Sequence, residues 1–475
     1  MKKLLILLNS LSFPFFILAH QERLHDEHII EYIDQNNIAD SISAYEPTTS
    51  TTSRSTYRIN AKKHTTVLIY MADDNDLHYF AKKNLEDMKK IGSTPFLNIV
   101  VQVDGQGPYE KTKRFYVEKN NLVQVNKKDS LSEKKLDFGS AQTLTDSCLW
   151  AMQSYPADHY MLVLWNHGIG ILDSIGGKTS NASELFIFNS ETDMLEINRS
   201  IDFIEYAKHR EEEKEQRGIC FSDTFGTYLT NQKLIQALTN VQRQMNGQKF
   251  DIIAFDACLM SMIEVGDILA PFANIMVGSQ ELELGAGYPY HKVFEPFLTQ
   301  ALEPEQFAKH IVDVYSNNYK TITSDYTLSA IDLIELHNLE ISLEKTTILL
   351  LEALKNQRNN SVYRLIQASK NRRLCTCFSE PTYIDLHDFL NNLLESIDYM
   401  LIQPQSASIK ETLQLSILET KSALERVVFA NEVGRNLVRA RGLSIYFPYR
   451  IVHPSYLQTP FANKFSWLNL IKNII

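Results

Sequence analysis

Apolar positions along the chain fall into short continuous runs separated by amphipathic stretches. Four runs have the length and composition of buried strands: TTVLIYM (65–71), FLNIVVQVD (96–104), HYMLVLW (159–165) and FDIIAF (250–255). Strands that are apolar on both faces belong to a sheet covered on both sides, so the pattern predicts an α/β fold. The amphipathic stretch at 77–92 ends in lysines and a glycine and predicts a helix linking two parallel strands.

Helical periodicity dominates the second half of the chain. GLSIYFP (442–448) then returns to the pattern of a strand, which predicts one integrated sheet. We therefore divide the chain into a core at 63–300 and a helical C-terminal portion at 301–475 that joins the same sheet. The predicted helices of this portion lie around 304–320, 335–356, 382–402 and 409–432.

The first residues have the layout of an export signal. Two lysines precede an apolar stretch from Leu4 to Ala19, which is short and interrupted for a membrane span. We expect a signal peptide at 1–19 and a secreted or periplasmic protein without membrane attachment after its removal. The alternative is a buried or membrane-anchoring N-terminal segment. Residues 20–62 are polar and are predicted to form a flexible leader or pro-segment.

Charge and cysteine content narrow the function classes. With 57 acidic and 47 basic side chains, the net charge of −10 leaves no basic excess to bind nucleic acid. Five cysteines are too few for a disulfide scaffold, and their odd number leaves at least one unpaired within the chain. Cys375 and Cys377 lack a nearby His or Cys to complete a tetrahedral metal set, so we interpret them as surface-loop residues. The sequence requires no metal or cofactor.

Two predicted strands end in residues suited to nucleophilic chemistry. His167 follows the strand at 159–165, and Cys258 follows the strand at 250–255. Ligands of open α/β sheets bind beyond the carboxyl ends of the strands. If these strands are neighbours, the imidazole faces the thiol and favours the nucleophilic thiolate. Taken singly, each residue also has a plain explanation, as a buried packing cysteine or a hydrogen-bonded surface histidine.

The residues beside this pair strengthen the catalytic interpretation. Gly168 permits close substrate approach, and its N–H could donate, together with the Cys258 N–H, to a developing oxyanion. Asp256 precedes Cys258 by two positions, so strand alternation directs both side chains the same way. A carboxylate there is suited to holding a substrate cation.

The two blocks resemble the caspase-like cysteine peptidases and, among these, the clostripain family (peptidase family C11). The matching phrases keep the family's order over about 65–450 and together are highly specific. They are VLIYMADDNDL (67–77), LVLWNHGIG (162–170), RGICFSDT (217–224), FDACLMSMIEV (255–265), GSQELELGAGYPY (278–290), TLSAIDL (327–333), YIDLHDF (383–389) and GLSIYFP (442–448).

The resemblance implies a caspase-like α/β/α sandwich and peptide-bond hydrolysis by a Cys-His dyad. His167 would be the general base or acid, and Cys258 the nucleophile that forms an acyl-enzyme. Family members cut after basic residues, chiefly arginine, and Asp256 matches an acidic residue of their specificity pocket. The implied partners are peptides or proteins with Arg or Lys at P1. Some members depend on calcium, and this chain's dependence stays open.

The chain departs from the family pattern near the specificity pocket. Relatives commonly carry an aspartate where this chain has Ala286, so the pocket has one carboxylate fewer, although Glu281 and Glu283 are nearby. Three further acidic residues follow the first predicted strand, and turn formation or capping is their default role, with cation binding as the alternative. These are Asp73, Asp74 and Asp76.

A polar insert at 171–217 separates the two catalytic blocks. Apart from LFIF (185–188) it has few apolar anchors, and it is predicted to be a solvated loop ending in a charged helix. Family precursors are commonly cut between these blocks, and exposed segments are where proteolysis concentrates. Lys178 and Arg199 are the favoured processing sites, giving a monomer or a self-cleaved two-chain form. Other candidate sites are Lys208, Arg210, Lys214 and Arg217.

Two other functions remain compatible with these motifs. A peptide ligase or transpeptidase on the same scaffold would share every motif, and product analysis with an added amine nucleophile would distinguish it. A catalytically weak secreted interaction protein is less favoured, because His167 and Cys258 are both present.

Overall fold

A computed structural model describes residues 62–126, 133–173, 185–199, 219–356, 361–400 and 407–475. The predicted signal peptide at 1–19 lies outside the described residues, as does the leader except for its last residue. No helix in the described part of the chain is both long and apolar enough to cross a membrane.

Strands and helices alternate through the first half of the chain, and helices dominate the second. The strands are β1 (Lys63–Met71), β2 (Leu97–Val103), β3 (Lys113–Glu118), β4 (Asn121–Gln124), β5 (Ala157–Trp165), β6 (Phe186–Asn189), β7 (Met194–Ile197), β8 (Ile219–Ser222), β9 (Thr227–Leu229), β10 (Phe250–Asp256), β11 (Ala273–Gly278), β12 (Thr327–Asp332), β13 (Tyr383–Asp385), β14 (Val428–Val433) and β15 (Ser444–Tyr446). The α-helices are α1 (His78–Ile91), α2 (Ala141–Ser154), α3 (Asn231–Gln244), α4 (Ile263–Leu269), α5 (Tyr290–Phe294), α6 (Pro304–Tyr319), α7 (Leu336–Asn356), α8 (Ser361–Ser369), α9 (Leu386–Met400), α10 (Ala407–Val427), α11 (Pro460–Lys464) and α12 (Trp467–Ile474).

A nine-stranded sheet in the order β14-β12-β11-β10-β5-β1-β2-β3-β4 organises the fold. The strands from β11 to β2 in this order pair in parallel, and antiparallel strands extend the sheet at both edges. The central strands are buried over nearly their whole length, as their continuous apolar sequences predict. The mostly parallel α/β architecture is therefore confirmed, including the parallel pairing of β1 with β2.

The central sheet consists of two halves, one built from the earlier strands of the chain and one from the later strands. Strands β1 to β5 form one side of the sheet, and β10, β11, β12 and β14 form the other. Only the pairing of β5 with β10 joins the two sides, with Asp256 opposite Trp165 at its end. The residues following this pair, on both strands, therefore emerge side by side at the middle of the sheet.

The C-terminal portion joins the central sheet, but through a different strand from the predicted one. The prediction for 442–448 is wrong in this respect, because β15 pairs with β13 in a separate two-stranded sheet. The strand that joins this portion to the core is β12, which pairs with β11. The next strand, β14, lies within residues predicted to end the helix at 409–432. It pairs with β12, whose main-chain groups would otherwise lack partners along one edge. That long-range requirement overrides the helical periodicity of the preceding sequence.

The insert at 171–217 is only partly the solvated loop that its composition predicts. In its described section, β6 and β7 form a hairpin whose Leu185, Phe186 and Leu195 are buried. The Leu195 N–H donates to the Ile322 carbonyl oxygen, which fixes the hairpin to the C-terminal side of the molecule. The prediction of a solvated loop is therefore wrong for 185–199.

Candidate active site

His167 and Cys258 lie just beyond the ends of β5 and β10, as the sequence predicts. Since these strands are neighbours, both side chains reach one small cavity. The lining residues are Leu77, Trp165, Asn166, His167, Leu185, Asp256, Ala257, Cys258, Glu283, Leu284, Gly285 and Gly287. This arrangement supplies a base and a nucleophile within a single, largely enclosed space.

Gly168 is required by close packing of the two catalytic segments. A β-carbon at this position would overlap the Cys258 carbonyl oxygen and lie 3.0 Å from the Cys258 amide nitrogen. The glycine therefore allows the main chain after His167 to pass directly against the main chain of Cys258. This contact explains why a residue without a side chain follows the histidine, and it keeps two main-chain segments close to the thiol.

The thiol of Cys258 is held near the surface of the core, with the residue 8% exposed. The Glu283 N–H donates to its sulfur at 3.2 Å, and a donor of this kind favours the thiolate. The next residue, Leu259, has a φ of 64°, a left-handed conformation that side chains other than glycine rarely adopt. The chain thus turns sharply immediately after the nucleophile, and such strain is common at functional sites.

Asp76 contacts His167, a role that the sequence analysis missed. Its Oδ1 lies 2.6 Å from the His167 Nε2 atom, and the His167 side chain is 7% exposed while the Asp76 side chain is 27% exposed. Asp76 follows β1, the neighbour of β5 in the sheet, so the rule that identified His167 could also have identified it.

The other two acidic residues of this stretch have different partners. Asp73 interacts with His78 at 2.9 Å, and its N–H donates to Asp104. Asp74 accepts hydrogen bonds from the Ser222 hydroxyl and from the Gly107 and Thr224 main chain. The three carboxylates therefore do not converge, and no cluster of three metal-binding side chains involves them in the described residues.

Asp256 lines the cavity, but its carboxylate is already engaged by the protein. It accepts hydrogen bonds from the Tyr288 N–H at 3.1 Å and the Tyr290 hydroxyl at 2.7 Å. A β-carbon at Gly287, where φ is 62°, would overlap the same oxygens. Burial raises the pKa of Asp256 to about 7, against the opposing effect of these hydrogen bonds.

Glu283 supplies a second carboxyl group in the cavity. Its side-chain oxygens are buried beside the Asp256 carboxyl group and the Ala257 main chain. Burial, followed by the nearby Asp256, raises the pKa of Glu283 well above its usual value. Glu283 and Asp256 thus line the same cavity. Glu281 is outside it, where its Oε2 atom lies 3.6 Å from the Arg199 Nη1 atom.

Of the two favoured processing sites, Lys178 and Arg199, only Arg199 lies within the described residues. Lys178 lies outside the described residues, as do Lys208, Arg210, Lys214 and Arg217. Arg199 follows the docked hairpin, and its guanidinium contacts Asp325 at 3.2 Å as well as the buried Glu281. Arg199 is therefore held in the uncleaved chain rather than presented on an extended loop.

The remaining cysteines form no disulfide and lie outside the cavity. Cys375 is buried, so the prediction that it occupies a surface loop is wrong, while Cys377 is half-buried. Neither belongs to a cluster of metal-binding side chains among the described residues. Burial raises the pKa of Cys377, which keeps this thiol in its unreactive form.

The fold and the site together define an α/β enzyme with a cysteine nucleophile. The sequence model of the clostripain family, peptidase family C11, matches residues 69–205 and 204–473. The chain therefore belongs to the clostripain family of cysteine peptidases. It is 23% identical over 259 residues to clostripain of Hathewaya histolytica, a match spanning 50% of this chain and 42% of that relative.

Solved structures show the same fold. A secreted C11 cysteine protease from Bacteroides thetaiotaomicron, in complex with an irreversible peptide inhibitor, has a TM-score of 0.54 and 19% identity, covering 86% of this chain and 98% of its own. An inactive zymogen C11 protease from Parabacteroides distasonis has a TM-score of 0.54 and 20% identity, covering 85% and 98% respectively. At these identities the comparison supports the caspase-like fold.

Asp76 should act as a positioning residue for His167. We expect Asp76→Asn to lower kcat at least about tenfold with little change in KM, because the imidazole loses the partner that orients it. The alkaline limb of the kcat/KM profile should move to lower pH, since the imidazolium that protonates the leaving amine loses an adjacent negative charge. Asp76→Glu should restore part of the rate. An unchanged kcat and pH profile in Asp76→Asn would exclude this role.

Proposed function

We propose that the protein is an exported cysteine endopeptidase that hydrolyses peptide bonds after basic residues, with arginine preferred to lysine. The observation that carries the proposal is the meeting of His167 and Cys258 at the junction of β5 and β10, in a member of the clostripain family. Its substrates are peptides or proteins that enter the cavity as extended chains.

The chemistry follows from the groups around Cys258. The thiolate attacks the carbonyl carbon of the scissile bond, and the carbonyl oxygen takes the negative charge. The N–H groups of Gly168 and Cys258 are the proposed donors to this oxyanion. Collapse breaks the C–N bond while His167 protonates the leaving amine, which gives a thioester. Water then attacks the thioester, His167 accepts its proton, and the thiolate leaves.

The carboxyl pair of Asp256 and Glu283 is the proposed recognition site for the basic side chain. Both groups line the cavity that contains Cys258, where little water is available to solvate a cation. A guanidinium can contact two acceptors with its planar fork, whereas an ammonium acts as a point charge. Arginine should therefore be favoured over lysine at P1.

The intact insert is proposed to restrict the site until it is cut. The structure describes the insert at 171–173 and 185–199. Leu185, at the start of the second range, is buried and forms part of the cavity wall. The following hairpin is fixed by Arg199 and by the Ile197 N–H, both bonded to Asp325. Cleavage between the His and Cys blocks would release this wall, so activity should rise as the chain is processed.

Loss of either dyad residue should abolish hydrolysis. We expect Cys258→Ala and His167→Ala each to lower kcat/KM on Arg-terminated reporter peptides by about 10³-fold or more, because nucleophile and base act as a unit. Cys377→Ala is the matched control and should retain most activity. The assays are run with calcium and with a chelator, which also tests the calcium dependence left open by the sequence. More than trace cleavage by Cys258→Ala would contradict the assignment.

The arginine preference should depend on pH. The ratio of kcat/KM for P1 arginine to that for P1 citrulline, its neutral isostere, isolates the charge interaction because dyad ionisation affects both substrates. Asp256 is ionised above its pKa of about 7 and neutral below it. The ratio should therefore be high near pH 8 and fall by up to about tenfold near pH 6.

Two glutamates provide a test variant and a matched control for this measurement. Glu283→Gln should lower the arginine-to-citrulline ratio, because it removes a carboxyl group from the cavity. Glu281→Gln should leave the ratio unchanged, since Glu281 lies outside the cavity and contacts Arg199. Equal turnover of P1 arginine, aspartate and leucine by the wild type would refute the basic pocket.

Self-processing should occur within 171–217. We expect purified wild type to give fragments with new N-termini in this range, and Cys258→Ala to remain intact unless wild-type enzyme is added. Cleavage after Lys178 should precede cleavage after Arg199, whose side chain is held by Glu281 and Asp325. Mass spectrometry of the N-termini over time gives the order. A wild-type chain that stays intact and is already fully active would contradict this maturation.

A further inference from the structure

A cluster of potential metal ligands lies at the opposite end of the sheet from the dyad. His64 is near the start of β1, His159 is near the start of the neighbouring β5, and Glu303 is the residue before α6. Among the described residues, this is the only group of three or more His, Cys, Asp or Glu side chains whose ligand atoms all lie within 4.8 Å of one another. About 26 Å of strand separates His159 from His167, so the cluster is not part of the catalytic site.

The distances within the cluster fit metal ligands better than hydrogen bonds. The Nε2 atoms of His64 and His159 lie 3.4 and 3.6 Å from the two carboxylate oxygens of Glu303. Good hydrogen bonds between such atoms are about 2.7–3.2 Å long. Ligands about 2.0–2.1 Å from a tetrahedral zinc ion are about 3.3–3.4 Å apart, and the three candidate ligand atoms lie within 4.8 Å of one another, so an ion would draw them closer together.

The other nitrogen of each ring is already occupied. The Nδ1 atom of His159 is 3.1 Å from the Asp251 carboxylate, and that of His64 is 2.9 Å from the Thr65 hydroxyl. Asp251 is itself fixed by the Tyr160 N–H at 2.8 Å. With Nδ1–H donating to these partners, both Nε2 lone pairs point toward Glu303. A carboxylate behind a metal-binding histidine is the usual second layer of a zinc site.

Glu303 is also held in place before any ion binds. It is the N-cap of α6, where its side chain accepts from the Gln306 N–H and the Gln306 side chain accepts from the Glu303 N–H. This reciprocal capping favours a carboxylate position at the start of the helix, where the Glu303 N–H lies 3.4 Å from the Gln306 Oε1 atom and the Glu303 side chain is 66% exposed. In the tautomers with the ring proton on Nδ1, three electron-pair donors converge, an arrangement that a cation would relieve.

We propose that His64, His159 and Glu303 form a binding site for a divalent transition metal ion of the zinc class, with water completing a tetrahedral shell. Two imidazoles and one carboxylate are ligands preferred by zinc, whereas calcium prefers oxygen alone. The ion would connect β1 and β5 to α6, which lie on opposite sides of the β5–β10 junction. Its role is therefore structural, stabilising the contact between the two halves of the molecule.

The binding test uses the full chain with Cys258→Ala, which prevents both self-cleavage and metal binding by the catalytic thiol. After treatment with a chelator and dialysis, Zn²⁺ is titrated by calorimetry, and thermal unfolding is followed with and without the ion. We expect one equivalent to bind, with a rise in Tm of a few degrees at about 100-fold excess over Kd. Added Co²⁺ should give the visible absorption of a tetrahedral site without a thiolate charge-transfer band.

Three variants and a control locate the site. His64→Gln, His159→Gln and Glu303→Gln in the same background should each lower zinc affinity at least about tenfold and lose the Tm increase. His337→Gln, which removes an exposed histidine from α7, should retain both. Circular dichroism of the metal-free proteins checks that the variants fold. Absence of one-to-one binding, unchanged affinity in the three variants, or a thiolate band with Co²⁺ would each overturn the proposal.

Discussion

The pairing of β5 with β10 is the constraint on which the catalytic arrangement depends. Each strand is followed by one reactive side chain, and the register that places Asp256 opposite Trp165 brings the next residues side by side. The close contact of Gly168 with the Cys258 main chain then limits how far these segments can separate. Neither contact involves substrate, yet together they determine where imidazole and thiol meet. Backbone pairing thus carries the precision that the chemistry needs.

The carboxyl groups beside Cys258 are costly in an unliganded protein. Burial in the same cavity raises the pKa of Asp256 and Glu283, and two adjacent anions there would repel each other. Tyr290 donates to Asp256, and burial keeps the pKa of this phenol well above its usual value, so it remains a neutral donor. Retaining such groups without a paired cation is typical of sites that receive one from a ligand.

The sequence predicted the elements that depend on local pattern and missed those that depend on distant partners. Continuous apolar strands and the residues at their ends were sufficient to find His167, Cys258 and the parallel sheet. Asp76 was missed because its role was inferred from the local turn sequence alone, although its partner His167 follows the adjacent strand. The strand β14 and the docked hairpin of the insert were missed for a related reason. Both are stabilised by pairing with segments about a hundred residues away.

The position of the insert has a consequence for how the molecule is assembled. It lies between β5 and β10, so a cut within it leaves every other pair of adjacent strands in the central sheet on one polypeptide. Only the β5–β10 pair would become intermolecular. Refolding of a cut molecule would then be a second-order reaction between two fragments, each with an exposed apolar strand edge. A cut protein of this kind would have to assemble first as a single chain, and its later lifetime would be governed by the rate at which the β5–β10 pair and the contacts around it open.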